Sequence, residues 1–199
     1  SRHDRSEYVL TDKLTDEYFK SEEDIRPLID LQLETCGVEY FDFLLMHAQN
    51  ANNFEFFKQC RAYETAFDLK AEGKVRHVGL SFHDKAEVLD RILTEYPDVE
   101  IVQIQFNYLD YDDPGVQSKK CYDVAVKHGK KVIVMEPVRG GYLVNLPEEA
   151  KKIFDALGRC VYQGESSDET TRIANGYSAG VYMIQKVDDK GVNVQKIIL

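Results

Sequence analysis

No stretch of this chain limits its fold more than Tyr40-Phe41-Asp42-Phe43-Leu44-Leu45-Met46-His47. It is an apolar run broken by a single acid, too short for a lone helix and suited to a strand buried on both faces, as parallel sheets require. It stops on a histidine. If a helix follows, His47 lies at the carboxyl end of a parallel strand, where α/β folds place their chemistry. His47 is therefore the first candidate for function, against the competing reading of a histidine that merely caps a strand by bonding to a neighbouring carbonyl.

The chain on either side repeats the pattern. Glu7-Tyr8-Val9-Leu10-Thr11 reads as a short strand with Lys13 at its end. Ser21 and Asp24 form a reciprocal capping pair for a helix through Ile25, Ile29 and Leu33 that Gly37 stops. Phe54 to Lys70 is read as one helix, and Val75 to Ser81 as a strand. Asp84 can cap a third helix that ends at Pro97, and Glu100 to Phe106 alternates like a strand. Tyr111 to Gly115 is turn chemistry, Val116 to His128 a helix closed by Gly129, and Val132 to Met135 a compact apolar strand; Pro147 sits where a further short helix would open. Five strands, each followed by a helix, imply right-handed crossovers and a parallel sheet. An open doubly wound sheet and a (β/α)8 barrel both meet that pattern. An open sheet should carry a Gly-rich phosphate loop after an early strand, and neither GxGxxG nor GxxxxGK[ST] occurs. An incomplete TIM-type barrel of about five β/α units is the expectation.

After about Asp155 the pattern changes to short strand-like pieces, near 158–164, 170–173, 180–187 and 194–199, separated by Ser, Asp, Asn and Gly. An antiparallel hairpin segment is expected there, with a boundary that divides the chain into 1–152 and 153–199.

Composition excludes more than it assigns. A formal net charge of -10 disfavours nucleic acid and anionic membranes as partners. No apolar stretch approaches the roughly 20 residues that span a bilayer, and Ser1-Arg2-His3-Asp4-Arg5 is not a signal peptide. The expectation is a cytoplasmic chain, or a periplasmic or secreted one if a signal precedes it. Cys36, Cys60, Cys121 and Cys160 form no CxxC pair, so no metal site is expected.

Several motifs in order now point to one family. The Lys13 strand, the strand ending in His47, Gly73-Lys74-Val75-Arg76-His77-Val78-Gly79-Leu80-Ser81, Gln103-Ile104-Gln105-Phe106-Asn107-Tyr108-Leu109-Asp110 and Met135-Glu136-Pro137-Val138-Arg139-Gly140-Gly141 together resemble the aldo-keto reductases. The resemblance covers about residues 5 to 152 and is closest to the prokaryotic branch with a ferredoxin-like tail, whose cysteines have no counterpart here. It implies an eight-stranded barrel that reduces a small carbonyl substrate with NADPH or NADH. Lys13 and His47 then match the lysine and histidine that assist a proton-donating tyrosine. A nearby ammonium lowers a phenol's pKa, and an imidazole can orient the carbonyl oxygen. Ser81 and Gln103 match the residues that hold the nicotinamide carboxamide, Met135 the residue packed on the nicotinamide ring, and Arg139 with Gly140 the surroundings of the pyrophosphate. Phe82 stands where many relatives have asparagine.

The family's tyrosine and aspartate belong to segments expected before residue 1, so weak or absent activity is implied for this chain alone. Residues 153–199, with Ser178-Ala179-Gly180-Val181-Tyr182 and the terminal Lys196-Ile197-Ile198-Leu199, resemble part of a C-terminal sorting domain of type IX secretion substrates. That suggests an alternative, a non-catalytic exported or interacting protein. Barrel edges left open would favour self-association.

Overall fold

The structure is a computed structural model that describes residues 3–107 and 109–144 and the backbone of four later strands. The chain divides into two units, one of Ser1–Gln105 with Pro114–Met135 and one of Phe106–Asp113 with Glu136–Leu199.

The first unit holds a five-stranded parallel sheet. Its strands are β1 (Thr11–Leu14), β2 (Phe41–Gln49), β3 (Val75–Phe82), β4 (Ile101–Gln105) and β5 (Lys131–Met135). They lie side by side in sequence order. A doubly wound sheet must reverse its strand order at a switch point; this sheet never does, which is the arrangement of consecutive barrel units. Helices α1 (Glu22–Cys36), α2 (Phe54–Gln59), α3 (Ala62–Ala71), α4 (Ala86–Glu95) and α5 (Ser118–Lys127) fill the crossovers.

Local chemistry accounts for both ends of α1. The Asp24 carboxylate accepts the Ser21 N–H at 3.0 Å and the Ser21 hydroxyl at 3.1 Å, fixing the start of α1. Gly37, at φ 65°, ends it in the left-handed conformation that favours glycine. Leu44, Leu45 and Met46 are fully buried, as a strand covered on both faces requires.

Four expectations need correction. Asp84 does not cap α4: its carboxylate accepts the Ala51 N–H at 2.8 Å and the Lys85 N–H at 2.7 Å, and Lys85 takes the cap position. The first strand lies at Thr11–Leu14, not Glu7–Thr11, because Arg5 holds the preceding segment by donating to the Tyr8 and Tyr40 carbonyls at 2.9 Å each. Phe54 to Lys70 is two helices, broken where Arg61 takes φ 50°. Strand β2 runs past His47 to Gln49, with a register shift between Met46 and Gln49 and Ala48 at φ 50°.

In the second unit, Asn107 accepts the backbone N–H groups of Leu109 and Asp110 through its side-chain oxygen. It donates to Asp110 at 2.6 Å and to the Glu136 carbonyl at 3.0 Å. Glu136 has φ 56°, so the Asn107 amide holds a left-handed step. Further on, β6 (Lys152–Asp155), β7 (Cys160–Gln163), β8 (Val181–Asp188) and β9 (Gly191–Ile198) form an antiparallel sheet in the order β7-β6-β8-β9. The antiparallel segment expected from the sequence is present. The strand piece near 170–173 and the helix opening at Pro147 fall outside the described residues.

Candidate active site

Register decides which side chains meet. Lys13 pairs with Leu45, Leu45 with Gly79, Gly79 with Ile101 and Ile101 with Lys131. Ser81 pairs with Gln103, Gln103 with Ile133 and Gln105 with Met135. Side chains alternate along a strand, so Lys13, Leu45, Gly79, Ser81, Gln103 and Met135 all share one face of the sheet. His47, two residues beyond Leu45, continues it at the carboxyl end. Leu80, Phe82 and Ile104 take the opposite face, so Phe82 does not stand beside Ser81 and Gln103. Gly79 permits the close packing of this face. A Cβ there would lie 2.6 Å from the Ile101 carbonyl oxygen and 2.7 Å from Leu45 Cδ2.

The polar groups on this face differ in how they are held. His47 Nδ1 lies 2.8 Å from the Thr15 hydroxyl. Burial lowers the His47 pKa and the Lys13 ammonium lowers it further, while Asp16 and Glu17 pull weakly the other way. The imidazole is thus biased to its neutral form. Among the described residues the Lys13 ammonium makes no hydrogen bond or ion pair; only its backbone N–H is bonded, to Asp12 at 2.8 Å. The Ser81 oxygen is fully buried and accepts the Ala48 N–H at 2.8 Å, pinning the left-handed step just after His47. Gln103 Oε1 is buried and has no hydrogen-bond partner among the described residues.

An orphaned buried acceptor costs free energy comparable to a lost hydrogen bond and calls for a donor. A primary carboxamide supplies one: its N–H2 can donate to Gln103 Oε1 while its carbonyl accepts the Ser81 O–H. Ser81 and Gln103, neighbours in register, thus carry the donor and acceptor types that the carboxamide of a nicotinamide needs, both buried in this structure.

Arg139 and Gly140 belong to the second unit. They take φ 47° and 62°, and the Arg139 guanidinium lies 3.7 Å from the buried carboxylate of Asp110. The Arg139 side chain stays 44% exposed, so this loose pairing holds it only weakly. The structure joins Lys13, His47, Ser81, Gln103 and Met135 on one sheet face and describes Arg139 and Gly140 apart from them. Thr15 and the Asn107 clamp were not singled out from sequence. Thr15 stands at the alternate position beyond Lys13, but only the β1–β2 register shows that it meets His47.

A cavity of about 830 Å³ lies at the other end of the strands, lined by Phe43, His77, Glu100, Ile101 and Lys131 among others. His77 stacks on Phe43 with ring centres 5.3 Å apart, and its Nδ1 lies 3.0 Å from Glu100, which also accepts from Lys70 at 2.6 Å. Size does not make this the reaction site: in barrels of this kind the amino-terminal mouth serves stability and the carboxyl-terminal mouth serves chemistry. No group of side chains able to hold a metal ion occurs among the described residues. No described helix is long and apolar enough to cross a membrane.

Comparison with known proteins agrees with the geometry. The chain is 27% identical over 123 residues to the NADH-specific methylglyoxal reductase of Escherichia coli, a match covering 62% of this chain and 36% of that protein. It thus spans about a third of that relative. An aldo-keto reductase from a Medee basin deep-sea metagenome library superposes with a TM-score of 0.61 at 20% identity, over 75% of this chain and 52% of that one. The holo form of an aldo-keto reductase from Bacillus halodurans gives 0.58 at 21% identity, over 74% and 48%. A Bombyx mori aldo-keto reductase in complex with NADP gives 0.51 at 21%, over 66% and 42%. These superpositions establish the fold. The sequence profile of the aldo/keto reductase family matches residues 1–181, well past the stretch to 152 that the motifs carried. With nine-tenths of its length inside that match, the chain belongs to the aldo/keto reductase family.

Proposed function

We propose that the carboxyl ends of β1 to β5 are the nicotinamide-facing and carbonyl-facing rim of an NAD(P)H-dependent carbonyl reductase. The observation that carries this is the orphaned Gln103 Oε1 beside Ser81, on the same face as Lys13 and His47. When bound, the nicotinamide supplies the hydride. Ser81 and Gln103 would hold its carboxamide, and Met135 would pack on its ring. His47, neutral and biased by Lys13, would donate a hydrogen bond to the carbonyl oxygen. Arg139 and Gly140 would meet the pyrophosphate, where backbone without a side chain can approach closely.

The resemblance places no proton-donating tyrosine on residues 1–199, so turnover by this chain alone should be weak or absent. The relative's name makes NADH the first cofactor to try and methylglyoxal the first carbonyl. Titration with NADH and NADPH followed by nicotinamide fluorescence tests the reading. Saturable binding that Gln103→Leu weakens at least tenfold supports it, and binding indifferent to that substitution contradicts it.

An alternative reading makes residues 153–199 a secretion sorting module and the α/β part its scaffold. The antiparallel order of β6 to β9 is compatible with such a module. Export dependent on residues 153–199 in a cell with that secretion route would favour it. We further propose self-association through β1 and β5, which are paired on one side only among the described residues. A clean monomer by light scattering would count against that.

A further inference from the structure

Thr15 follows β1 by one residue, and continuing the register of Leu14 with Met46 sets it opposite His47. Its hydroxyl lies 2.8 Å from His47 Nδ1, and the imidazole is the only hydrogen-bond partner of that hydroxyl among the described residues. A neutral imidazole has one N–H and one acceptor nitrogen. If Nδ1 carried the proton, it would meet the hydroxyl oxygen, and the hydroxyl proton would have no acceptor among the described residues. If Nδ1 is bare, the hydroxyl donates to it and both groups are matched. Threonine is stiff at χ1, so its hydroxyl is held in place before any ligand arrives. Ser81 fixes the backbone just after the same histidine, by accepting the Ala48 N–H at 2.8 Å.

We propose that Thr15 is a positioning residue for His47: its hydroxyl donates to Nδ1, confines the neutral ring to the Nε2–H tautomer and leaves Nε2–H as the donor offered to a carbonyl oxygen. This role rests on the reading of His47 given above. The neighbour that sets a histidine's tautomer decides what its other nitrogen can do. Burial and the Lys13 ammonium supply the neutral ring that the proposal needs. Thr15 itself need touch neither cofactor nor substrate.

The test is long-range nitrogen–proton NMR on the chain with ¹⁵N-labelled histidine rings, with no nucleotide or carbonyl added. The wild type should show His47 as a single Nε2–H tautomer. Thr15→Val should move its two ring-nitrogen signals together, toward the averaged values of free histidine, and Thr15→Ser should restore the wild-type pattern. His77 and His128, held by Glu100 and Asp90, report whether the fold survives. A wild-type His47 with its proton on Nδ1 overturns the proposal even if Thr15→Val fails to fold. So does a folded Thr15→Val chain whose His47 signals match the wild type. Because no cofactor is present, a chain that never binds NADH still returns one of these answers, separately from the outcome for the reductase reading.

Discussion

The two ends of the parallel strands treat polar groups in opposite ways. At the amino ends, Asp42 accepts from Arg5 at 2.6 Å, from Arg76 at 3.0 Å and from the Leu10 N–H at 2.8 Å, while both guanidinium groups also lie over the Tyr40 ring. Glu100 likewise collects Lys70, His77 and the Val78 N–H. At the carboxyl ends, among the described residues, Lys13 has no counter-ion and Gln103 Oε1 has no donor. The amino-end carboxylates collect several donors each, although Arg5 Nε beside them has no partner among the described residues. The proposed reading is that the carboxyl end leaves Lys13 and Gln103 for a ligand, as expected where function costs stability.

The largest effect should come from breaking the matched end. Asp42→Ala leaves Arg5 and the Leu10 N–H without their buried partner; the Asp42 side chain is only 9% exposed. A loss of about 3 kcal/mol is expected in urea unfolding, with any cofactor binding at the far rim unchanged in the fraction still folded. The same carboxylate sets an acid limit. Burial alone would raise its pKa, but the Leu10 N–H and Arg5, with Arg76, outweigh burial and hold it below the ordinary value. Its contribution is therefore fully present above the unfolded pKa of about 3.9 and is lost as pH falls through the lower folded value. Asp42→Asn should remove that part of the acid transition.

Gly79→Ala comes next. The new methyl group would meet the Ile101 carbonyl oxygen and Leu45 inside a packed sheet face, and overpacking of this kind costs about 1–3 kcal/mol. Thermal unfolding would show it. Gln103→Leu should act in the reverse sense. Removing an unsatisfied buried acceptor should raise stability by about 1 kcal/mol while weakening nicotinamide binding. A variant that loses stability instead would show that Gln103 serves the core.

The smallest effect sharpens the contrast at one residue. Lys13→Met should raise the His47 pKa without returning it to the ordinary value, because burial, the larger cause, remains. Since the folded pKa lies below the unfolded one, His47 adds stability above about 6.5 and loses it as pH falls through the folded value. The variant should narrow that window in an NMR pH titration.

Much of this was legible in the sequence, for identifiable reasons. The β2 run had too few polar residues to be anything but a covered strand, and the family resemblance singled out Ser81 and Gln103, which the register then sets side by side. The position of β1 was not legible, because Arg5 sets it by reaching 35 residues along the chain to the Tyr40 carbonyl. The break at Arg61 carries no glycine or proline to announce it. Thr15 was hidden for a related reason: its meaning depends on the register of β1 against β2, which no local pattern states.

The most direct test of the contrast is an NMR titration of the chain with NADH, following backbone amides and the Gln103 side-chain N–H2 signals. Shifts concentrated at Gln103, Ser81 and Met135, with the amino-end signals of Phe43, His77 and Glu100 unmoved, are the predicted result. Shifts centred on the amino-end cavity, or none at any concentration reached, would contradict it.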